Sequence, residues 1–444
     1  MSELLDRSAR IVDTATFDPD FNPMGCEVHE LADGVAMVDA FSHVLILDGG
    51  DGLALFDVSH AMFGDRVVEA LRSWSTDRLD TIVYTHGHAD HVGGAGALLA
   101  DNAERGPTPS VVAHEAVPAR FDRYHLTAGY NGVINARQFG GSVIGRTTGG
   151  PARTGSGPTI DDLAASWVEG FGVRPTTTYE DRLDIEIGDL AIELHHGRGE
   201  TDDHTWAWVP DRRIALVGDF VIWMFPNAGN PQKVQRYPLE WAENLRRIAA
   251  AEPELMLPAH GLPLAGRDRI QNVLGDLATA LEQVTHRTLE RMNAGDSLDT
   301  VLAEVRVDDE LMERPWLAPL YDEPEFVVRN VWRQYGGWYD GTPSRLKPPR
   351  DRAVAAEVSA LAGGVDVLVA RARALAADGD LPLACHLIDL AVEAGPDEAE
   401  AHAARRDVYS ERRSRELSLM AKGIYGDAAR RSKARLAELD GSGT

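Results

Sequence analysis

Two cysteines, Cys26 and Cys385, are all that 444 residues provide. They can form one disulfide at most, so the chain is not a crosslinked scaffold, and it suits a reducing compartment. No apolar run is long enough to span a bilayer. The opening stretch MSELLDRSARIVDTATFDPD scatters charge and has no apolar centre, so it does not read as a secretory signal. Basic residues are scarce: 44 Lys and Arg stand against 70 Asp and Glu, a formal net charge of −26. A surface of that sign is repelled by phosphate backbones and anionic membranes. The expectation is a soluble, cytoplasmic protein with no nucleic-acid partner and no membrane span.

The remaining balance is globular, with 44% hydrophobic and 26% charged residues, which excludes wholesale disorder. The length suggests two or three domains. Residues 33–60 read as short strands, with VLIL (44–47) and LALFD (53–57) split by the turn GGDG. Residues 62–74 have helical spacing. TIVYTHGHADHVGG (81–94) reads as a buried strand running into a polar loop, and PSVVAHEA (109–116) as a further strand. Residues 121–176, rich in Gly, Thr and Arg, show no period and read as a long insertion over the active face. Regular strands resume at 182–196 and 205–219, each folded about a turn. A helix follows at 238–253, then the strand ELMLPAHG (254–261). Strands and helices in this order, with polar motifs at strand ends, indicate a layered α/β sandwich. Beyond about residue 265 the pattern is helical, with a long amphipathic stretch at 268–294 and two helices joined by Asp378-Gly379-Asp380 that stop at 395–397. The plain reading of that region is helix packing or subunit contact.

THGHADHVGG (85–94) carries the chemistry. His86, His88, Asp90 and His91 fall within six positions at a strand end, and imidazole nitrogen and carboxylate oxygen suit zinc and related divalent metals. Alternate residues point the same way, so His86 and His88 can reach one ion while Asp90 and His91 turn towards a second. Glu200, Asp219 and His260 each follow a predicted strand and complete a candidate two-metal set. Singly, each also reads as a turn or capping residue. Asp57, ending LALFD, is either an orienting partner for a ligand histidine or a turn residue.

These residues resemble the metallo-β-lactamase superfamily over roughly 30–265. Its HxHxDH loop matches His86, His88, Asp90 and His91; its bridging acid matches Asp219 and its late histidine His260. RGE (198–200) stands where most members have PGH. A carboxylate at that place, and the interval from Glu200 to Asp219, resemble the alkylsulfatase branch. RNVWRQYGGWYDGTP (329–343) looks like the YxxYLGWFDGNP segment of the alkylsulfatase dimerisation domain, and the helical tail is similar to that domain. The resemblance implies a four-layer αββα sandwich followed by an all-helical C-terminal domain, divided as 1–270 (insertion 121–176) and 271–444. It further implies a homodimer; Trp332, Tyr335, Trp338 and Tyr339 would suit its buried interface, or else pack against the hydrolase domain.

The departures lie around the substrate. The family's HNLYTLRGAKVRD is replaced by VIWMFPNAGNPQKVQRYP (221–238), without its sulfate-holding Arg, and the bridging acid is Asp rather than Glu. GYNGVINARQFGG (129–141) differs from AGNAMxRRAxYMYG. Lys233, Arg236 and Arg137 are the candidate replacements for the missing cation. The reading is a dinuclear zinc hydrolase (iron or manganese fitting the same donors) that cleaves an alkyl sulfate ester through a metal-bound hydroxide, with Asp90 and Asp219 as catalytic residues. His86, His88 and Glu200 would hold one ion, Asp90, His91 and His260 the other, and Asp219 would bridge. Alternatives are a zinc hydrolase of the same fold acting on a lactone, thioester or phosphoester, an iron-binding redox member, and a helical interaction protein with an idle hydrolase domain.

Overall fold

The computed structural model describes residues 2–139 and 171–441. Two compact units emerge. The first comprises 1–132 and 158–337; the second, 133–157 and 338–444. The break after Gly337 lies well beyond the boundary expected at 270, because the helices Arg267–Asn293 and Pro324–Gly336 bury Leu274, Leu281, Val327 and Val331 in the core of the first unit.

The first unit is built on two sheets. One contains β1 (Val28–Ala32), β2 (Val35–Val38), β3 (Val44–Asp48), β4 (Leu53–Phe56), β5 (Leu79–Val83), β6 (Ser110–His114) and β7 (Thr177–Tyr179) in chain order. β1 to β4 pair antiparallel, and β4 to β7 pair parallel. The other runs β13 (Leu264–Ala265), β12 (Leu255–Pro258), β11 (Ile214–Gly218), β10 (Thr205–Val209), β9 (Leu190–His196) and β8 (Arg182–Ile187), antiparallel except for the parallel pair β11–β12.

Alternation along the strands explains the layering. Met37, Leu45, Leu47 and Phe56 face Leu194, Ala207, Leu216 and Leu257 across the inter-sheet core. Val38, Val44, Ile46 and Leu55 point the other way, against Val67 and Leu71 of the helix Gly64–Trp74 and Phe121 of the helix Val117–Leu126. Trp241, Leu245 and Ile248 of the helix Pro238–Ala250 cover the second sheet. The order is helix, sheet, sheet, helix, the four-layer sandwich expected.

Part of the expected insertion is regular. Val117–Leu126 and Ala128–Phe139 are helices, and the spacing of Val117, Phe121 and Tyr124 was the signal. Residues 140–170 of that segment lie outside the described residues. An N-terminal helix, Glu3–Thr14, and the strand β1 had also gone unpredicted. The second unit buries Leu368, Ala372, Ile388, Ala404 and Val408 among the helices Val365–Ala377, Leu381–Ala394 and Ala399–Arg415. Among the described residues no single helix is long and apolar enough to cross a membrane.

Candidate metal centre

Every candidate ligand follows the C-terminal end of a strand. β5 runs into Thr85 and His86, and His88 precedes the single helical turn Ala89–Val92 that carries Asp90 and His91. Glu200 lies in the loop after β9, Asp219 directly after β11, and His260 just beyond β12. Small residues permit the crowding. Gly218 has φ +51, and a side chain there would meet His204 at 2.8 Å and Thr85 at 2.9 Å. A Cβ on Gly87, between the first two histidines, would come within 2.8 Å of Arg120 Cδ.

The structure brings all seven residues together as two donor groups: His86, His88, Glu200 and Asp219, and Asp90, His91 and His260. His86 Nε2 lies 3.9 Å from Asp219 Oδ2, and His88 Nδ1 lies 3.9 Å from Glu200 Oε1. In the second group His260 Nε2 is 3.4 Å from Asp90 Oδ2, and His91 Nε2 is 3.7 Å from the same oxygen. Asp219 reaches across: Oδ2 is 3.4 Å from His91 Nε2, and Oδ1 is 3.8 Å from His260 Nε2. Donors about 2.1 Å from one tetrahedral ion stand roughly 3.4 Å apart, so the spacing is that of ligand shells.

Two further observations fit divalent ions. His91 Nε2 and Asp219 Oδ1 are buried without a hydrogen-bond partner, which leaves donor atoms aimed inward. Three carboxylates are crowded among four imidazoles. Burial drives the His86 and His88 pKa values well down, so both present neutral nitrogen. Burial also pushes the Glu200 carboxyl up to about 7, against the pull of Arg236 and with the push of Asp219. A bound cation removes that conflict.

The supports are specific. Asp57, at φ +58, takes a left-handed backbone that aspartate tolerates. Its Oδ2 lies 2.7 Å from His91 Nδ1 and accepts from Thr85 Oγ1 at 2.8 Å, so the orienting role is the one the geometry supports. Thr85 Oγ1 in turn lies 3.0 Å from His86 Nδ1. Asp203 accepts from Gly87 N at 3.1 Å and from Arg120 Nε at 2.6 Å. Burial opposes its charge, but Arg120 holds Asp203 down to about 2. His204 Nε2 accepts from Asp219 N at 3.1 Å. None of Arg120, Asp203 and His204 was singled out from the sequence, because their partners lie on distant segments.

The expected cations divide. Arg236 is buried against Glu200, with Nη1 2.7 Å from Oε1 and 2.6 Å from the backbone oxygen, so it braces a ligand candidate and is not free for an anion. Lys233 feels Arg236, Asp90 and Glu200, and burial brings its pKa to about 8. Arg137 belongs to the second compact unit, with Nε 3.8 Å from Asp427. Of the aromatics, Trp332 packs on the first unit's core, whereas Tyr335, Trp338 and Tyr339 are exposed.

The metallo-beta-lactamase superfamily model matches residues 38–260, half of the chain, and takes in every one of these donors. The chain belongs to the metallo-beta-lactamase superfamily. It also matches the alkyl sulfatase dimerisation family, over residues 297–434. It is 25% identical over 362 residues to a linear primary-alkylsulfatase of Pseudomonas sp., covering 80% of this chain and 67% of that one. It is 24% identical over 379 residues to an (R)-specific secondary-alkylsulfatase of Pseudomonas sp. (83% and 57%). The fold matches that of the stereoselective inverting sec-alkylsulfatase Pisa1 from Pseudomonas sp. with a TM-score of 0.77 at 19% identity, over 94% of this chain and 66% of that one. The chain thus spans 57% to 67% of the length of these relatives.

Proposed function

We propose that this chain is a dinuclear zinc hydrolase that cleaves an alkyl sulfate ester, and that it works as a homodimer. The observation that carries the reading is the pair of donor groups joined by Asp219, with the carboxylate of Glu200 in the first. The similarity to alkylsulfatases supports the substrate class, and the match to their dimerisation family supports the assembly.

Two divalent ions would supply Lewis-acid polarisation of the ester and a water with a pKa brought towards neutrality. His86, His88 and Glu200 would hold one ion and Asp90, His91 and His260 the other, with Asp219 reaching both. The chain's own work is orientation. Asp57 keeps the proton on His91 Nδ1, so Nε2 faces the centre. Thr85 links that acid to His86. Asp203 and Arg120 fix the turn between His86 and His88. Asp90 and Asp219 keep low pKa values despite burial, through His91 and His260, and stay ionised as acceptors. With Arg236 committed to Glu200, Lys233 is the cation proposed to hold the sulfate group. A pKa of about 8 leaves it mostly protonated at neutral pH.

The test pairs elemental analysis with sulfate release from a medium-chain primary alkyl sulfate. About two zinc per chain and metal-dependent release are expected. Two ions without release would remove the substrate assignment and bring forward lactones, thioesters and phosphoesters. Iron or manganese at the same stoichiometry would overturn zinc alone. Light scattering tests the assembly, with Trp338→Ser expected to weaken the dimer.

A further inference from the structure

The chain between Asp219 and the helix Pro238–Ala250 ends as a strap beside the loop that carries Glu200. Tyr237 N donates to Gly199 O at 3.0 Å. One residue earlier, Arg236 turns inward and is 97% buried. Its Nη1 meets Glu200 at both ends, 2.6 Å from the backbone oxygen and 2.7 Å from Oε1. Asn227 Nδ2 donates to the same carboxylate oxygen at 2.5 Å. Backbone and side chain of Glu200 are therefore fixed together by one guanidinium nitrogen.

Arg236 is itself held from a distance. Asn330, on the helix Pro324–Gly336, accepts from Arg236 N at 3.4 Å and donates through Nδ2 to Arg236 O at 3.0 Å. Its Oδ1 also accepts from Gln235 Nε2 at 2.9 Å. One amide thus reaches both polar backbone groups of Arg236, and Gln235 Nε2 shares the carbonyl at 2.7 Å. Val327, Val328 and Val331 of the same helix are buried in the first unit's core, so this amide projects from a rigid support.

We infer that Asn330 and Arg236 are positioning residues for Glu200. Asn330 sets the Arg236 backbone, Arg236 sets the Glu200 carboxylate against His86 and His88, and the pair tunes the affinity of the ion held there without touching it. The inference rests on the metal reading above but not on the substrate. It accounts for an arginine spent at the rim of an anion-handling site without being available to an anion. It also assigns a role to a residue within the region matched by the dimerisation family.

The experiment strips metal from the full-length, loaded protein with increasing chelator. It counts the remaining ions by elemental analysis and follows the cobalt-substituted protein by its visible spectrum. Removing the partner of a ligand typically weakens metal binding by about 10–100-fold. Asn330→Ala should release one of the two ions at about tenfold lower chelator strength and leave the other unchanged, with Arg236→Gln, which removes the nitrogen that holds Glu200, showing a larger loss. The metal-stripped Asn330→Ala protein should melt within a few degrees of the parent, which separates positioning from general loosening. Three results would overturn the inference: Asn330→Ala keeping both ions at parental chelator strength, both ions loosening equally, or Arg236→Gln matching the parent. If the parent holds two ions yet releases no sulfate, the substrate assignment fails while the chelator series still decides this one.

Discussion

The two halves of the donor cluster are braced by opposite charges. On the His91 side the brace is an acid: Asp57 takes the Nδ1 proton at 2.7 Å. On the Glu200 side it is a base, Arg236, with the amide of Asn227 beside it. The difference follows from the ligand. An imidazole that offers a lone pair on one nitrogen carries a proton on the other and needs an acceptor. A carboxylate has only lone pairs to offer, so its support must donate. The braces also differ in reach. Asp57 follows β4, which pairs directly with the strand leading to the histidines, whereas Arg236 depends on an amide from a helix nearly a hundred residues further along. One support comes with the sheet, and the other has to be assembled by long-range packing.

Asp219 belongs to both halves, so breaking it should erase the contrast. Asp219→Ala is expected to lower kcat/KM by at least about 10³-fold, the scale of several kcal/mol of lost metal chemistry, and to reduce metal content at both sites. Asp57→Asn falls mainly on one half. It should weaken the ion on the His91 side by about 10–100-fold and, through Thr85 and His86, the other ion by less. Combined with Asn330→Ala, the losses should add if the braces are independent, and depart from additivity if Asp219 carries strain between them.

Removing both ions should lower thermal stability without unfolding the chain, because the inter-sheet core does not depend on them. At ligand concentrations about 100-fold above Kd the restored stability is roughly 2.7 kcal/mol for each ion, readable from melts with and without added zinc. A histidine–aspartate pair outside the cluster sets the lower bound. His29 Nε2 lies 3.4 Å from Asp39, whose contact raises the His29 pKa above its ordinary value despite partial burial. The stability it gives is therefore complete below pH 6.5 and fades as pH rises through the raised value. The pair is partly solvent-screened, so His29→Gln should flatten the pH dependence of unfolding between pH 6 and 8 by at most about 0.5 kcal/mol.

Much of the centre was legible because its residues carry local signals. His86, His88, Asp90 and His91 are nearly consecutive, and Glu200, Asp219 and His260 each end a strand pattern. The hairpins at 182–196 and 205–218 and the long helix from 267 were equally plain, since period and turn residues agree there. What escaped is pairing between distant segments. Nothing beside Arg236 announces Glu200, so it looked like a free cation. Nothing beside Asn330 announces Arg236, and the Arg120–Asp203 pair is equally silent. The compact unit runs past the boundary expected at 270 for a related reason. The helices after 267 look like the start of an all-helical region, but they bury their apolar faces on the sandwich.

The parallel pairs β4–β5 and β11–β12 are the same device used twice, once in each sheet. In each, the first strand hands over an aspartate, Asp57 or Asp219, and its neighbour hands over histidine, His86 or His260. Neither pair makes a centre alone, and their donors stand far apart in the chain. Only the packing of one sheet's apolar face on the other's draws the donors into range. Bound there, the ions would act as rivets through two plates, and their loss would loosen the seam rather than either plate.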